Sequence, residues 1–395
     1  MNIKRLILWM LIWPFTAHAD WSQTVAEAEG QTVYFNAWGG SPVINAYIEK
    51  WAEVAKTRYG INVQHVKVND VGAVITGIET AKRAGGRSDQ GSVDLIWING
   101  ENFARMKGAE LLSEPFVDRL PNAAFVDLED PSIAFDFSVP TDGLEAPWGR
   151  ARLVMMYDSQ RIAEPPRSLD SLLAYAQANP GRVTYPEPPN FHGTTFLKQV
   201  LLETTPHPEW LMEPYRAARF DQVTQGVWQF LDALHPVAWR QAQSFPDSAE
   251  NLMGLLSDGL IDVAFSFNPN DASRKIKSGE FAPTVRTYVH QAGTIGNTHF
   301  LAIPFNAQAN AAAQVFVNLL LSPEAQADKA NPEIWGDPTV LSMERLSPAD
   351  RQLFDALPMG AATLSPETLG RPLPEPHASW TEPLERAWKA RYFGQ

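Results

Sequence analysis

The chain contains no cysteine among its 395 residues. That excludes disulfides, thiolate metal sites and a lipid-modified cysteine behind the leader. Basic residues are in short supply: 32 Lys and Arg stand against 45 Asp and Glu, a net charge of −13. Such a balance argues against nucleic acid, whose phosphates require basic patches, and favours a neutral or cationic ligand. The motifs G-x-S-x-G, H-E-x-x-H, G-x-x-x-x-G-K-(S/T) and G-x-G-x-x-G are all missing, which removes the usual signatures of hydrolases, zinc proteases and nucleotide binders. After the N-terminus no stretch of 18 apolar residues occurs, so no later segment reads as a membrane span. Internal repeats and low-complexity tracts are absent too.

What remains is a composition of 45% hydrophobic and 19% charged residues, that of a soluble globular protein long enough for two lobes. The first nineteen residues read as a signal peptide. Lys4 and Arg5 precede an apolar run from Leu6 to Phe15, and Ala17-His18-Ala19 is a cleavage signal. The mature chain is expected to begin near Asp20 and to work in the periplasm.

The organising stretch is Thr32 to Pro42. Val33 to Phe35 is β-branched and aromatic, as in a buried strand. It runs into Trp38-Gly39-Gly40, where missing Cβ atoms let another molecule approach the backbone. Ser41 reads as a helix cap and Pro42 as the first helical residue. Strand, glycine turn and helix start aim free N–H groups at one spot; an ordinary tight turn is the plain alternative.

Helical spacing then places Ile44, Tyr47, Ile48 and Trp51 on one face. Ile61 to Val68 alternates like a strand, Asp70 caps a second helix, and Val93 to Ile98 is a third strand. Three strands alternating with helices predict a parallel sheet covered on both faces, with ligands beyond the strand C-termini. Pro147 to Tyr157 reads as a long strand leaving the first lobe. Val183 to Tyr185 is a short strand, and His192-Gly193-Thr194-Thr195 opens a second helix start like the first. Ile261 to Phe267 is a buried strand, and Gly293 to Pro304 a strand returning to the first lobe. The proline-rich tail from Pro358 is expected to pack along the surface.

The order of these elements resembles the periplasmic solute-binding proteins of ABC importers. Leu301-Ala-Ile-Pro304 leads through a helix to Leu320-Leu-Ser-Pro-Glu-Ala-Gln326, similar to a signature of that family. Pro166-Arg-Ser-Leu-Asp-Ser-Leu172 and Asp258-Gly-Leu-Ile-Asp-Val-Ala264 resemble two further motifs in the same order. The chain looks closest to the YnjB-like group, neighbours of the thiamine, polyamine and ferric-ion binders. The resemblance implies a two-lobe α/β fold of the periplasmic-binding-protein type II, with ligand held between lobes joined by crossing strands. The first lobe would hold residues 20–150 and 301–395, the second 151–300. It also implies a monomeric, non-enzymatic carrier that delivers solute to a membrane permease and its ATPase subunits, with no cofactor and no metal. The adjacent tyrosines of the ferric-ion binders have no counterpart beyond lone Tyr288. An extracytoplasmic hydrolase or lyase and a sensory binding protein are the competing classes.

If the lobes face each other, the cleft would be walled by Trp38, Gly39, Gly40 and Ser41; by Asn99, Glu101 and Asn102; by Trp148; by His192, Thr194 and Thr195; by Phe267 and Asn268; and by Asn297. Aromatic faces attract cations and stack on heterocycles, so Trp38, Trp97, Trp148 and Phe267 favour a cationic or heteroaromatic solute, thiamine- or polyamine-like. Trp97, inside a strand, reads more readily as core, whereas Trp38 and Trp148 each adjoin a glycine, Gly39 and Gly149, where ligands approach. Asp70, Glu101 and Asp158 are the acidic candidates. For an anionic group, Arg150 and the N–H groups of Ser41 and Thr194 are the candidates.

Overall fold

In the computed structural model, which describes residues 16–87 and 89–394, ten strands form two main sheets and a small hairpin. They are β1 (Thr32–Trp38), β2 (Asn62–Val68), β3 (Leu95–Ile98), β4 (Phe135–Asp136), β5 (Val139–Pro140), β6 (Glu145–Arg152), β7 (Val154–Asp158), β8 (Val263–Ser266), β9 (Val285–Tyr288) and β10 (Gly296–Ala302). The apolar run expected to belong to a signal peptide, Leu6 to Phe15, lies outside the described residues. A helix, Thr16–Ala28, runs across the expected cleavage position.

The first sheet has the order β2-β1-β3-β10-β6. The strands β1, β2 and β3 pair in parallel, whereas β10 runs antiparallel to both β3 and β6. The expected parallel sheet therefore extends into a mixed one where the chain returns. One face is covered by helices Pro42–Tyr59 and Asn310–Leu320, which bury Ile44, Tyr47, Trp51, Val315 and Phe316. The other is covered by Val71–Arg83 and Glu101–Gly108, through Ile75, Ile78, Phe103 and Met106. Asp70 caps its helix by accepting from Gly72 N at 2.8 Å, as the sequence predicts.

The second sheet, β8-β7-β9, is antiparallel throughout. The segment at Val183 to Tyr185 is reduced to a single parallel bridge, Val183 to Val263. Beside that bridge Asp262 accepts two bonds from Arg182, Nε at 2.8 Å and Nη2 at 2.5 Å. This paired fork gives the aspartate of the Asp258–Ala264 stretch a structural task. Helices Leu169–Ala178, Phe191–Thr204, Ala217–Leu234 and Ala249–Ser257 pack over this sheet and form a separate core.

The long strand from Pro147 is interrupted at Leu153, which divides β6 from β7 and marks the passage between the sheets. There Leu153 N donates to Ile295 O at 2.8 Å, so the outgoing and returning chains cross side by side.

The tail departs from expectation. Its helix Thr381–Phe393 is packed into the second core, with Trp380, Leu384 and Trp388 buried there. Trp388 Nε1 donates to Tyr185 Oη at 2.8 Å. Prolines argue for surface packing, but the tryptophans behind them carry far more apolar area than any surface strip leaves exposed. The tail thus packs with the second core, although the sequence groups it with the first lobe.

Candidate functional site

Trp38 ends β1, at the edge of the first sheet where the parallel strands point their C-termini. Its ring is 39% exposed and lies over Gly40, so that a Cβ there would overlap the indole. Ser41 begins the next helix without a side-chain cap bond, and Asn45 Nδ2 donates to Gly39 O at 3.0 Å, fixing the turn. The opening stretch is therefore an ordered, solvent-facing aromatic platform.

After β3, Asn99 and Asn102 are half-buried and Glu101 is exposed in the first turn of its helix. Gly100 adopts φ 60°, a conformation that suits glycine, and its N–H donates to Asp136 Oδ2 at 2.6 Å. A Cβ on Gly100 would press into the ring of Phe137. The hairpin β4–β5 is thereby locked onto the start of this helix.

On the other side of the junction, helix Phe191–Thr204 begins one residue earlier than predicted and is capped by Asn190, whose side chain accepts from His192 N. Thr194 N donates to Asn190 O at 2.9 Å, so this N–H is not free for an anion. The Thr194 hydroxyl donates to Glu385 Oε1 at 2.5 Å and Thr195 donates to Phe191 O at 2.8 Å. His192 is half-buried, and burial pushes its imidazole down to about 4, with Glu250 opposing; at neutral pH it carries no charge. Phe267 is buried against Phe191, ring centroids 5.3 Å apart. Asn268 reaches across the junction to Trp335 O at 3.3 Å.

Trp148 is a correction. It is fully buried, surrounded by Trp97, Trp335 and His299 at centroid distances of 5.0, 5.1 and 5.5 Å. The neighbouring Gly149 suggested ligand approach, but what approaches it is protein. A Cβ there would overlap the Asp337 carboxylate and the His299 ring. Asp337 accepts from buried Lys329 and lies 3.0 Å from His299 Nε2. Burial alone would raise the Asp337 carboxyl; His299 and Lys329 outweigh it and hold the group below its ordinary value. Arg150 is likewise engaged, donating to Asp130 at 2.8 Å and Ser132 at 2.9 Å, and Asp158 lies 3.7 Å from Arg161.

Of the expected residues, the structure draws Glu101, Thr194 and Asn297 toward one cluster, completed by residues the sequence did not single out. Asn297 Nδ2 donates to Glu375 Oε1 at 3.0 Å. Lys198 Nζ stands 3.3 Å from Glu375 Oε2 and 4.2 Å from the centre of the Phe137 ring. Burial pushes Asp136 well above the carboxylate range, with Gly100 opposing and Glu101 and Glu375 adding to the rise. Glu375 and Glu385 are also raised, chiefly by burial. Among the described residues no group of three His, Cys, Asp or Glu side chains is arranged to hold a metal ion. Lys198 sits one helical turn after Thr194 and, with Gln199, interrupts the apolar run from Phe196 to Leu202; that interruption was the available signal.

A family model described as "Bacterial extracellular solute-binding protein" matches residues 46–349. The chain belongs to this family. It is 43% identical to Protein YnjB of Escherichia coli K12 over 389 residues, covering 97% of this chain and 98% of that one. The fold is similar to that of the Tp0655 lipoprotein of Treponema pallidum, with a TM-score of 0.64 at 13% identity over 92% of this chain and 99% of the other. A structure described as a putative spermidine/putrescine ABC transporter from Listeria monocytogenes gives a TM-score of 0.60 at 16% identity over 91% and 99%. The two sheets with their separate cores and crossing strands are the two lobes of this solute-binding fold.

Proposed function

We propose that the protein captures a small cationic or heteroaromatic solute between its lobes in the periplasm. It then delivers the solute, as a monomer, to the permease and ATPase subunits of an ABC importer. Membership of the solute-binding family supports the carrier role, and transport carriers of this kind perform no chemistry on their cargo. The observation that favours a cation is the charge balance at the lobe junction. Asp136 and Glu375 are buried there, with buried Lys198 3.3 Å from Glu375, and Glu101 adds to the acidic field at both. Burial favours the neutral form of these carboxyls, and a positive group arriving beside them favours the ionised one. The exposed ring of Trp38 offers a stacking face for the rest of the solute. The fold of the Listeria protein described as a spermidine/putrescine transporter is in keeping with this class.

In this reading the lobes rotate about the strands that cross at Leu153 and Ile295, and solute favours the closed form by touching both lobes. A thermal-shift screen of the mature chain against thiamine, its phosphates, polyamines, quaternary amines and sugars tests it, because bound ligand stabilises by mass action. Cationic members are expected to raise the melting temperature. A response confined to anionic solutes overturns the cation assignment, and turnover of any panel member overturns the carrier role.

A further inference from the structure

Beside the crossing strands, Arg167, residues 289–293 and residues 368–371 enclose a surface cavity of about 350 Å³. Among the described residues none that lines it is acidic, in a chain where 45 acids stand against 32 bases. Its walls have three origins. Arg167 comes just before helix Leu169–Ala178, His290 to Gly293 belong to the link between β9 and β10, and Thr368 to Arg371 belong to the tail. Backbone bonds hold the three together: Gln291 N donates to Arg167 O at 2.8 Å, Leu373 N to Thr294 O at 2.9 Å, and Gly296 N to Leu373 O at 3.1 Å.

Three arginines meet here, and among the described residues none of them has a carboxylate partner. Arg167 has only the ring of Tyr288, 5.8 Å from its Cζ. Arg371 is exposed and its side chain has no partner. Arg152, 6% exposed, stands behind the tail and donates only to neutral oxygens: Thr294 Oγ1 at 3.0 Å, Leu369 O at 2.7 Å and Arg371 O at 3.0 Å. Burial pushes its guanidinium down to about 10 with nothing opposing, so it remains charged at neutral pH. A buried cation without a counter-ion carries a desolvation cost that an arriving anion offsets. His290, 2% exposed, is a fourth group on the wall. Its Nδ1 lies 2.6 Å from Glu203 Oε1, a partner that calls for the proton on Nδ1, and its Nε2 has no partner. The same Glu203 oxygen accepts from Gln199 Nε2 at 2.7 Å, so this carboxylate is engaged away from the arginines.

We infer that this cavity is a second ligand site, for a small organic dianion (a dicarboxylate or a phosphate monoester) gripped by Arg167 and Arg371. Guanidinium forks match carboxylate and phosphate oxygens in pairs, and the cavity lies in the range of small-molecule sites, roughly 300–1,000 Å³. It is set apart from the expected solute cleft. Glu203, which holds His290, lies on the same helix as His192 but about 16 Å further along its axis. Arg371 comes two residues before Leu373, so a dianion held between the arginines ties the tail to the second lobe beside the returning strand. This site goes beyond solute carriage and does not depend on which solute the lobes enclose.

The test uses the mature full-length chain with succinate and glycerol 3-phosphate as probes, and acetate and glycerol as controls, at constant ionic strength. Calorimetric titrations are run on wild type, R167Q, R371Q and R351Q. Arg351, exposed on helix Pro348–Asp355, reports the loss of one positive charge alone. All three arginines are exposed, so the variants are expected to fold, and circular dichroism checks that they do. At least one dianion is expected to bind wild type, and which of the two binds tells dicarboxylate from phosphate ester. Acetate and glycerol are expected to bind at least about tenfold more weakly. R167Q and R371Q are each expected to weaken dianion binding about tenfold, the worth of one charge-assisted pair, and R351Q less than about twofold. Hydrogen exchange with the bound dianion is expected to protect residues 289–293 and 368–371. The site is overturned if neither dianion binds, if R167Q and R371Q bind as wild type does, or if R351Q loses as much as they do. Protection confined to the stretches around Trp38 and His192 places the dianion in the solute cleft and overturns it too. None of these outcomes bears on the solute panel, which tests the carrier reading separately.

Discussion

Lys198 and Glu375 meet at 3.3 Å although one stands on a helix of the second core and the other on the tail that follows the first. Each is almost completely buried, and the pair is flanked by Asp136 and Asn297 from the first sheet's side of the molecule. Three parts of the chain therefore have to be in place before this charge cluster exists. Both cores and the tail meet at this one location.

Trp38 is the exposed half of the proposed binding surface. Trp38→Ala is expected to change unfolding stability by less than about 1 kcal/mol, since the residue is 39% exposed and belongs to none of the hydrophobic cores. Its affinity for a cationic heteroaromatic such as thiamine is expected to fall about tenfold, the worth of a cation–π contact of roughly 1.4 kcal/mol. Urea melts and titration on the same preparation separate the two. A stability loss of several kcal/mol assigns the ring to packing.

Gly149 is required by its neighbours. Gly149→Ala drives a methyl into Asp337 and His299, loosening the buried contacts to Lys329 and the tryptophans around Trp148. A loss of about 2 kcal/mol or more is expected, read as a lower urea midpoint with unchanged slope. Equal stability would mean that this network has room to shift.

Glu145 gives a pH-dependent outcome. It is 2% exposed, and neither carboxylate oxygen has a hydrogen-bond partner. Burial pushes its carboxyl well above the ordinary range, Asp136 adds to the rise, and Lys107 opposes it. A carboxyl raised on folding contributes its stability in full below the unfolded value, near about 4.3, and loses that contribution as pH climbs through the folded one. Glu145→Gln is therefore expected to stabilise the unliganded protein at pH 8, by about 1–3 kcal/mol, and to do so less at pH 4. Urea unfolding at both values checks the sign, and destabilisation at pH 8 would reveal a partner for the carboxylate.

Trp388 tests the tail. Trp388→Ala removes a fully buried indole and its bond to Tyr185, at an expected cost of about 3–5 kcal/mol. The same substitution on a tail that merely lay on the surface would cost little. Calorimetry with the two lobes resolved is expected to place the loss in the second.

Much of the fold was legible because periodicity and caps report on local chemistry. The stretch around Asp70, the helix after Ser168 and the strand at β1 follow from spacing and cap residues alone. The site was legible only in part. Trp38, Glu101, Thr194 and Asn297 lie at loop or element ends, where sequence order predicts proximity to strand termini. Trp148 misled because a glycine beside an aromatic signals close approach without saying by what; here the approach is by Asp337. Glu375 sits between two prolines in a segment with no periodic pattern, and nothing local says that it pairs with Lys198. Likewise the tail's two buried tryptophans declare a need for burial, but not which core supplies it.

The bridge between Leu373 and Ile295 has a mechanical consequence. The chain passes outward at Leu153 and back at Ile295, and Leu373, in a segment that has already joined the second core at Ala362, lies against the returning passage. Two passages would make a pliable ribbon, free to slide as well as to bend. A third strand laid against the second turns the ribbon into a laminated strip, which twists readily about its length and resists sliding in its plane. In the hinge motion proposed above, this lamination favours rotation over sliding and holds the lobes to one register.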